Sequence, residues 1–214
     1  MIDVIIACAG GYGLEVYEEI CNINKELQIL GKEIAYNFLG FLSDVPVDLE
    51  SQGIHERILG TISDWQPSRN EYFMIGLSRP EQKKKVSGIL LNKGAQFTNV
   101  VSPYAHVAAN LNAGYGCFIS GGAFISRSCR LGNFVNINGS MLYAGASVGD
   151  YSTTTGFTIV ENACVGEGVF IGSKAVITAG CSVGDWSQVY VGSVVMNDVK
   201  PGSKVFGMPA AEIG

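Results

Sequence analysis

Six residues near the N-terminus, Cys8 to Gly13 ("CAGGYG"), form a glycine-rich loop between an apolar run and an amphipathic segment. Glycine lets a backbone come close to a phosphate, and the N-terminus of a helix favours negative charge. The loop does not match a dinucleotide fingerprint, because Cys8 stands where the first glycine belongs and no acidic residue follows at a strand end about 20 positions on. The pattern therefore indicates either a mononucleotide site or a tight strand-to-helix turn.

Side chains that bind metals or act as bases at neutral pH are few. The chain has two histidines, His55 in a polar loop and His106 ahead of the repeats described below. A β-helical carbonic anhydrase needs three zinc-binding histidines and is excluded. None of the six cysteines has CxxC spacing, so we expect no metal and no redox motif. The cysteines in the second half are interpreted as reduced core residues: Cys117, Cys129, Cys164 and Cys181.

Charge and hydropathy restrict the partners and the location. The formal net charge is −5, and the basic run Lys83–Lys85 falls in what we interpret as a surface helix. Nucleic acid is therefore a poor candidate partner. The chain has no apolar stretch long enough for a membrane span and no signal-peptide pattern, so we expect a cytoplasmic protein with no membrane contact.

Residues 1–97 alternate strand and helix patterns, which predicts a small Rossmann-like parallel α/β domain. Three strands are expected, in "MIDVIIACAG", "YNFLGFLSD" and "EYFMIGL", with a first helix in "GYGLEVYEEICNINKELQ". A further helix is expected in "SRPEQKKKVSGILLNKG", with Pro80 in its first turn and a stop at Gly94. Ligands of such domains bind at the carboxyl ends of the strands.

Residues 98–214 repeat every six residues. Aliphatic side chains stand at Val165, Ile171, Ile177 and Val183, a period that fits neither a helix nor a simple strand. Hexapeptide repeats are typical of parallel β-helices, in which stacked coils share one core. About sixteen hexads give roughly five coils of three hexads each.

The phase of this repeat changes along the chain. We trace one unbroken register from Val107 to Tyr143. A slip of one residue is then expected between Tyr143 and Val148, and a second between Val160 and Val165.

Together these features resemble the two-domain sugar O- and N-acyltransferases with a left-handed β-helix. That family includes bacterial acetyltransferases of UDP- or dTDP-4-amino sugars and of sialic acid. Its "GAGGHG" is similar to the loop Cys8–Gly13, and its "GFLDD" is similar to "GFLSD" at Gly40–Asp44. Its strand-end "IG" resembles Ile75-Gly76, and its C-terminal "GxPA" stands here as Gly207–Ala210.

The resemblance implies an acyl-CoA-dependent N-acyltransferase, with acetyl as the expected acyl group. The substrate would be the amino group of a nucleotide-linked amino sugar used for bacterial surface glycans. The nucleotide sugar would bind the first domain, and coenzyme A would lie along the β-helix between subunits of a homotrimer. The implied substrate-binding residues are Gly10, Gly11, Tyr12, Gly13, Asp44 and Gly76. The implied coenzyme-binding residues are Gly172, Lys174, Gly192, Gly207 and Pro209.

The chain departs from the family at the catalytic base. Most members carry a histidine in "VEHDCVIG", and the matching stretch here is "LYAGASVGD". Counting forward from Pro103 places that histidine at Gly145, whereas counting back from Gly149 places it at Ala144. We take the forward count, because we trace an unbroken register up to Tyr143. Glycine at 145 should then leave a gap about the size of an imidazole.

Other matched positions leave several functions open. Asn138 corresponds to a family asparagine and could orient the amine or a water, while Thr153 replaces a second family histidine. An amine attacks a thioester unaided better than a hydroxyl does, so the missing base favours N-acylation. A catalytically inactive relative, an engineered variant without its histidine, and a sugar O-acetyltransferase remain as alternatives. The sequence does not identify the sugar, the nucleotide or the acyl group.

Overall fold

The computed structural model describes residues 1–213, and the chain divides into two units. One contains residues 1–78 and 82–103, and the other contains residues 79–81 and the chain from 104 onward. The first unit is a small parallel sheet with two helices, and the second is a parallel β-helix. The expected fold class, an α/β domain followed by a left-handed β-helix, is confirmed.

The sheet of the first unit has the strand order β3-β2-β1-β4-β5, with every neighbouring pair parallel. The chain therefore reverses its direction of sheet growth between β1 and β4, which opens a crevice at their carboxyl ends. The short strands β3 and β5 were not predicted from the sequence. The elements are β1 (Ile2–Ala7), α1 (Gly11–Ile29), β2 (Tyr36–Leu42), a 3₁₀ turn (Glu50–Gln52), β3 (Ile58–Gly60), β4 (Glu71–Ile75), α2 (Pro80–Leu91), β5 (Gln96–Phe97) and β6 (Val100–Val101).

Burial explains why these segments form this sheet. Val4 to Ala7 in β1 are completely buried, as expected for a central parallel strand that is apolar on both faces. Helix α1 buries Val16 and Ile20, whereas Ile23, about one turn further along, is only half-buried. In α2 the basic run is not wholly at the surface, because Lys83 is 1% exposed.

The second unit consists of two-residue strands at the repeat spacing. They pair in parallel with strands one coil away and form three sheets around one apolar core. A short antiparallel hairpin, β23 with β24, ends the described chain. The strands are β7 (His106–Val107), β8 (Asn112–Ala113), β9 (Phe118–Ile119), β10 (Phe124–Ile125), β11 (Arg130–Leu131), β12 (Asn136–Ile137), β13 (Met141–Leu142), β14 (Ser147–Val148), β15 (Thr153–Thr154), β16 (Ile159–Val160), β17 (Cys164–Val165), β18 (Phe170–Ile171), β19 (Val176–Ile177), β20 (Ser182–Val183), β21 (Gln188–Val189), β22 (Val194–Val195), β23 (Lys204–Gly207) and β24 (Ala210–Glu212).

The first register slip lies earlier than we predicted. Leu142 pairs with Ile125 and is fully buried, whereas Tyr143 is 44% exposed. The repeat therefore shortens to five residues between Ile137 and Leu142. From Leu142 to Val148 it has its full six residues. The prediction failed because Leu142 and Tyr143 are both large and partly apolar, so composition alone did not identify the inward one.

The second slip, between Val160 and Val165, is where we expected it. It changes the orientation of one cysteine that we had assigned to the core. Cys164 occupies the outward position of β17 and is exposed, whereas Cys117, Cys129 and Cys181 are buried. All six cysteines are free thiols.

Candidate functional site

A cavity of about 430 Å³ opens at the carboxyl ends of β1, β2 and β4 in the first unit. Its volume falls within the usual range for a small-molecule site, roughly 300–1,000 Å³. The position matches the crevice that the strand order creates between β1 and β4. The lining residues are Cys8, Ala9, Gly10, Ser43, Asp44, Val45, Val47, Ile62, Leu77, Gln82, Lys85, Val86 and Ile89.

The glycines of the loop fall into two physical classes. A Cβ atom on Gly13 or on Gly76 would collide with the carbonyl oxygen of Cys8, so these two glycines permit close packing. Gly10 caps the N-terminus of α1 and Gly11 is its first residue, and a Cβ on either would meet nothing within 4 Å. The packing of this unit therefore requires Gly13 and Gly76, while the space at Gly10 and Gly11 is open to a ligand.

Asp44 and Tyr12, two of the predicted substrate-binding residues, have structural environments that the sequence did not predict. The Asp44 carboxylate is exposed, yet its Oδ1 accepts a hydrogen bond of 2.7 Å from the backbone N–H of Ile62. Asp44 therefore fixes the turn after β3 as well as lining the cavity. Tyr12 is half-buried in the first turn of α1.

Cys8 lines the same cavity and has φ +80°, a conformation that favours glycine. Burial raises the pKa of its thiol to about 11, with a smaller contribution from the negative charge of Asp44. Cys8 is consequently a neutral, weakly reactive thiol at pH 7.

The cavity lining combines one carboxylate, Asp44, with one ammonium group, Lys85 on α2. Most of the remaining lining is apolar, including Val45, Val47 and Ile62. Such a mixture suits a ligand that has a planar or apolar part and a charged part. The sequence analysis missed Lys85 because its signal, a lysine on an exposed helix face, is common.

A second cavity, of about 500 Å³, lies on the β-helix at the corner that follows β13. Ala144 lines it, and Ala144 is exposed. The register slip precedes Leu142, so the forward count crosses it, whereas the backward count does not. The backward count selects Ala144 for the family's base, the residue directly before Gly145. The lining residues are Ser126, Tyr143, Ala144, Ile159, Glu161, Asn162 and Ala179.

Gly145 does not leave the gap that we expected. Its φ is +86°, and a Cβ there would lie 2.5 Å from the Oδ1 of Asn162. The amide of Asn162, one coil further on, fills the space. A histidine at 145 would be strained and would have to displace that amide, so the expectation of free room for an imidazole at this position is wrong.

Asn138 and Thr153 lie away from this cavity. Asn138 precedes β13 and Ala144 follows it, so they occupy opposite ends of that strand. The Asn138 side chain donates a hydrogen bond of 3.0 Å to the carbonyl oxygen of Thr154, which ties two coils together. Thr153 is fully buried.

The predicted coenzyme-binding residues gather at another corner of the β-helix, the one before β19 and β22. Lys174 is exposed, and the N–H of Gly192 bonds to the carbonyl oxygen of Ser173 on the preceding coil. The N–H of Gly207 donates to Ser193 Oγ at 3.3 Å, which places the C-terminal hairpin beside the same corner. Gly172 is a packing glycine whose Cβ would lie 2.6 Å from Val191 N, and Pro209 sits in the hairpin turn after a cis peptide bond.

Residues 1–213 have neither a metal-binding cluster nor a membrane-spanning helix. These residues contain no cluster of three or more histidine, cysteine, aspartate or glutamate side chains able to hold a metal ion. Their helices are all too short or too polar to traverse a lipid bilayer.

Solved structures match the chain over its full length. The acetyltransferase domain of PglB from Neisseria gonorrhoeae superposes with a TM-score of 0.85 at 18% identity, covering 100% of both chains. A perosamine N-acetyltransferase variant from Caulobacter crescentus, in complex with CoA and GDP-perosamine, gives 0.84 at 19% identity over 99% of this chain and 97% of that one. WeeI from Acinetobacter baumannii gives 0.81 at 21% identity, with 100% of both chains covered.

Sequence comparisons reach only part of the chain. The bifunctional protein GlmU of Gluconacetobacter diazotrophicus is 30% identical over 105 residues, 40% of this chain and 23% of that protein. GlmU of Aquifex aeolicus is 29% identical over 108 residues, and the chain again spans about a quarter of its relative's length. No protein-family model matches. The resemblance inferred from the motifs is thus confirmed as a shared fold: over its whole length, the chain is built like the two-domain sugar N-acetyltransferases.

Proposed function

We propose that the protein is an acyl-CoA-dependent N-acyltransferase that acts on the amino group of a nucleotide-linked amino sugar. In this proposal the cavity at the ends of β1, β2 and β4 binds the nucleotide. The β-helix corner at Ala144 holds the reacting amine and thioester. Acetyl is the proposed acyl group, and bacterial surface glycan synthesis is the proposed role.

One observation carries the proposal: the full-length match in fold to structures that include a perosamine N-acetyltransferase complexed with CoA and GDP-perosamine. The cavity chemistry supports it further. Open glycines at an α-helix N-terminus favour a phosphate, and Lys85 lines the same cavity. The proposed nucleotide contacts are Gly10, Gly11, Tyr12, Asp44 and Lys85, with Gly13 and Gly76 shaping the loop.

The proposed coenzyme site is the corner that contains Lys174 and Gly192, with Gly172, Gly207 and Pro209 next to it. Lys174 is exposed there, and an ammonium group suits the phosphates of coenzyme A. The space at Gly192 is open, because a Cβ would meet nothing within 4 Å.

A homotrimer is proposed as the working form, and the outer face of one β-helix sheet supports it. The outward residues of the sheet from β7 to β22 are His106, Phe124, Met141, Ile159, Val176 and Val194, and all are at least partly exposed. The outward residues of the sheet from β8 to β20 are short or polar instead: Asn112, Arg130, Ser147, Cys164 and Ser182. A second copy of the chain is the occupant that we propose for the apolar face. Light scattering at micromolar concentration should give three times the chain mass, and a monomer would contradict the proposal.

The test of activity is incubation with acetyl-CoA and a panel of GDP-, UDP- and dTDP-linked 4-amino sugars. The acylated sugar should be detected by mass, because the exposed thiols of Cys21 and Cys164 would react with thiol reagents and mask free coenzyme A. The matched 4-hydroxy sugars form the second arm and distinguish amide from ester formation. Acyl transfer to hydroxy sugars alone would replace the proposal with a sugar O-acetyltransferase.

A catalytically inactive relative is the second candidate, and the alanine at the base position favours it. Such a protein would bind nucleotide sugar and coenzyme A without turnover. Calorimetric binding of both ligands, combined with no acylated product from any sugar in the panel, would favour this candidate over the enzyme.

A further inference from the structure

The cavity at Ala144 contains a carboxylate that the motif comparison did not predict. Glu161 lines this cavity and is half-buried, and it supplies the only charged side chain of the lining within the part of the chain that the structure describes. In the sequence it follows β16, in the hexad that is shortened by the second register slip. The side chain thus lies at the same corner as Ala144, one coil further along.

The backbone ladder fixes this placement. The N–H of Tyr143 bonds to the carbonyl oxygen of Val160 at 2.9 Å, and the N–H of Glu161 bonds to that of Ile177 at 3.0 Å. Tyr143 and Glu161 therefore occupy equivalent positions on consecutive coils. Asn162 follows Glu161 directly, and its Oδ1 lies 2.5 Å from the place where a Cβ on Gly145 would stand, so the two turns are in close contact.

The Glu161 carboxylate is also oriented. Its Oε2 accepts a hydrogen bond of 3.1 Å from the backbone N–H of Ala179 on the following coil. That bond holds one oxygen against the corner and leaves Oε1 as the oxygen that can face a ligand in the cavity. A long, flexible side chain held in this way is already positioned, so less side-chain entropy is lost when substrate binds.

Other polar side chains near the cavity are unsuitable as bases. Arg127, on the coil before Ala144, carries a guanidinium, which offers donors and no acceptor. Tyr143 and Ser126 end in hydroxyl groups, which are hydrogen-bond donors as well as acceptors. His106 stacks on Phe124, with ring centroids 5.0 Å apart, and is not part of the lining. An ionised carboxylate such as that of a glutamate has acceptor oxygens only and can take a proton.

We propose that Glu161 is the proton acceptor of this chain and takes over the task of the missing histidine, an assignment that rests on the proposed acyl transfer. The neutral amine of the sugar attacks the thioester carbonyl carbon and forms the C–N bond. Collapse of the tetrahedral adduct breaks the C–S bond. One N–H proton passes from nitrogen to Glu161 and then to the departing sulfur. The products are an amide and the free thiol, and Glu161 returns to its carboxylate form.

The test is Glu161→Gln, which keeps an oxygen to accept the bond from Ala179 and removes the capacity to take a proton. With acetyl-CoA and the amino sugar identified in the panel, kcat should fall about 10²-fold or more, the usual size of general-base help. KM for both substrates and the melting temperature should stay close to those of the parent. Glu167→Gln removes a carboxylate at a different corner of the β-helix and should leave kcat unchanged.

Rescue separates a catalytic role from a structural one. Ala144 is exposed on the cavity wall, so a histidine fits there as it does not at Gly145. Adding Ala144→His to Glu161→Gln should restore kcat by about tenfold or more, because an imidazole again stands beside the amine. If Glu161→Gln lowered kcat only by disturbing the structure, a histidine at position 144 would not restore it.

The outcomes distinguish this assignment from the function on which it rests. If the parent acylates an amino sugar and Glu161→Gln keeps kcat within about twofold, the proton-acceptor role is overturned and the proposed function stands. A rise in KM with a lower melting temperature and no rescue by Ala144→His also overturns the role. If the parent acylates no sugar in the panel, the proposed function and this assignment fall together.

Discussion

The α/β unit and the β-helix place their side chains by different means. In the α/β unit, the cavity residues lie at the ends of long elements. The pairing of β1 with β2, for example, extends over six residues. In the β-helix each strand from β7 to β22 has two residues, and its partners lie a whole coil away in sequence. A motif in the α/β unit can therefore be assigned from its local sequence. In the β-helix, by contrast, a single missing residue shifts the inward and outward assignment of every later position. The wrong assignment of Tyr143 as an inward residue comes from one slip, and the count that placed the base position at Gly145 crosses the same slip.

The largest effect is expected at the register slip before Leu142. Leu142→Ala should lower the free energy of unfolding by about 2–5 kcal/mol, because Leu142 is fully buried in the shared core. Tyr143→Ala should cost clearly less, about 1 kcal/mol, because Tyr143 lies outside the shared core and is 44% exposed. Chemical denaturation of parent and variants at one protein concentration measures both. A larger loss for Tyr143→Ala than for Leu142→Ala would restore the forward register.

Close contact between coils is the next point of difference. A Cβ on Gly149 would lie 2.6 Å from backbone atoms of Gly166, which belong to the next coil and cannot swing away. Gly149→Ala should therefore lower the free energy of unfolding by about 1–3 kcal/mol. Gly156→Ala is the matched control on the same β-helix, since its Cβ would meet nothing within 4 Å, and it should change stability by about 0.5 kcal/mol or less. Equal effects would show that coil stacking does not set the glycine requirement.

In the α/β unit, the contrast is between the charge of Asp44 and its hydrogen bonds. Asp44→Asn keeps an oxygen to accept the N–H of Ile62 and removes the charge. We expect it to raise the Kd for the nucleotide sugar by about tenfold, which is about 1.4 kcal/mol, with coenzyme A binding unchanged. Asp44→Ala should in addition lower the free energy of unfolding by about 1 kcal/mol, because it leaves the turn unsupported. Calorimetric titration with each ligand tests this, and a parallel loss of both affinities would contradict the assignment.

The smallest effect that we expect concerns Cys8 and high pH. Because the folded state raises the pKa of this thiol from 9.0 to about 11, folding favours the protonated form. This contribution to stability is complete below pH 9 and is lost as pH rises toward 11. Between these two pH values, the melting temperature should fall more steeply with rising pH for the parent than for Cys8→Ser. Comparison with the variant is necessary, since burial also raises the pKa of Cys21, Tyr36 and Cys129. If the melting temperatures of parent and variant fell in parallel with pH, the Cys8 thiol would not be shielded from solvent.

The sequence by itself determined the two-part architecture. A period of six residues admits few structures other than a β-helix, because a corner must recur at that interval. The glycine loop after an apolar run fixed the first strand, the first helix and the end of the sheet where a cavity forms. Strand ends such as Asp44 could be placed because parallel strands bring their carboxyl ends to one edge.

Which residues meet at the β-helix corner depends on the stacking of the coils. Sequence cannot show that Leu142 faces inward and Tyr143 outward, because both fit an apolar position and the choice depends on the coils above and below. For the same reason it could not reveal that Asn162 fills the space over Gly145, or that Glu161 faces the cavity at Ala144. These residues are a coil or more apart in the chain, and they become neighbours through stacking alone.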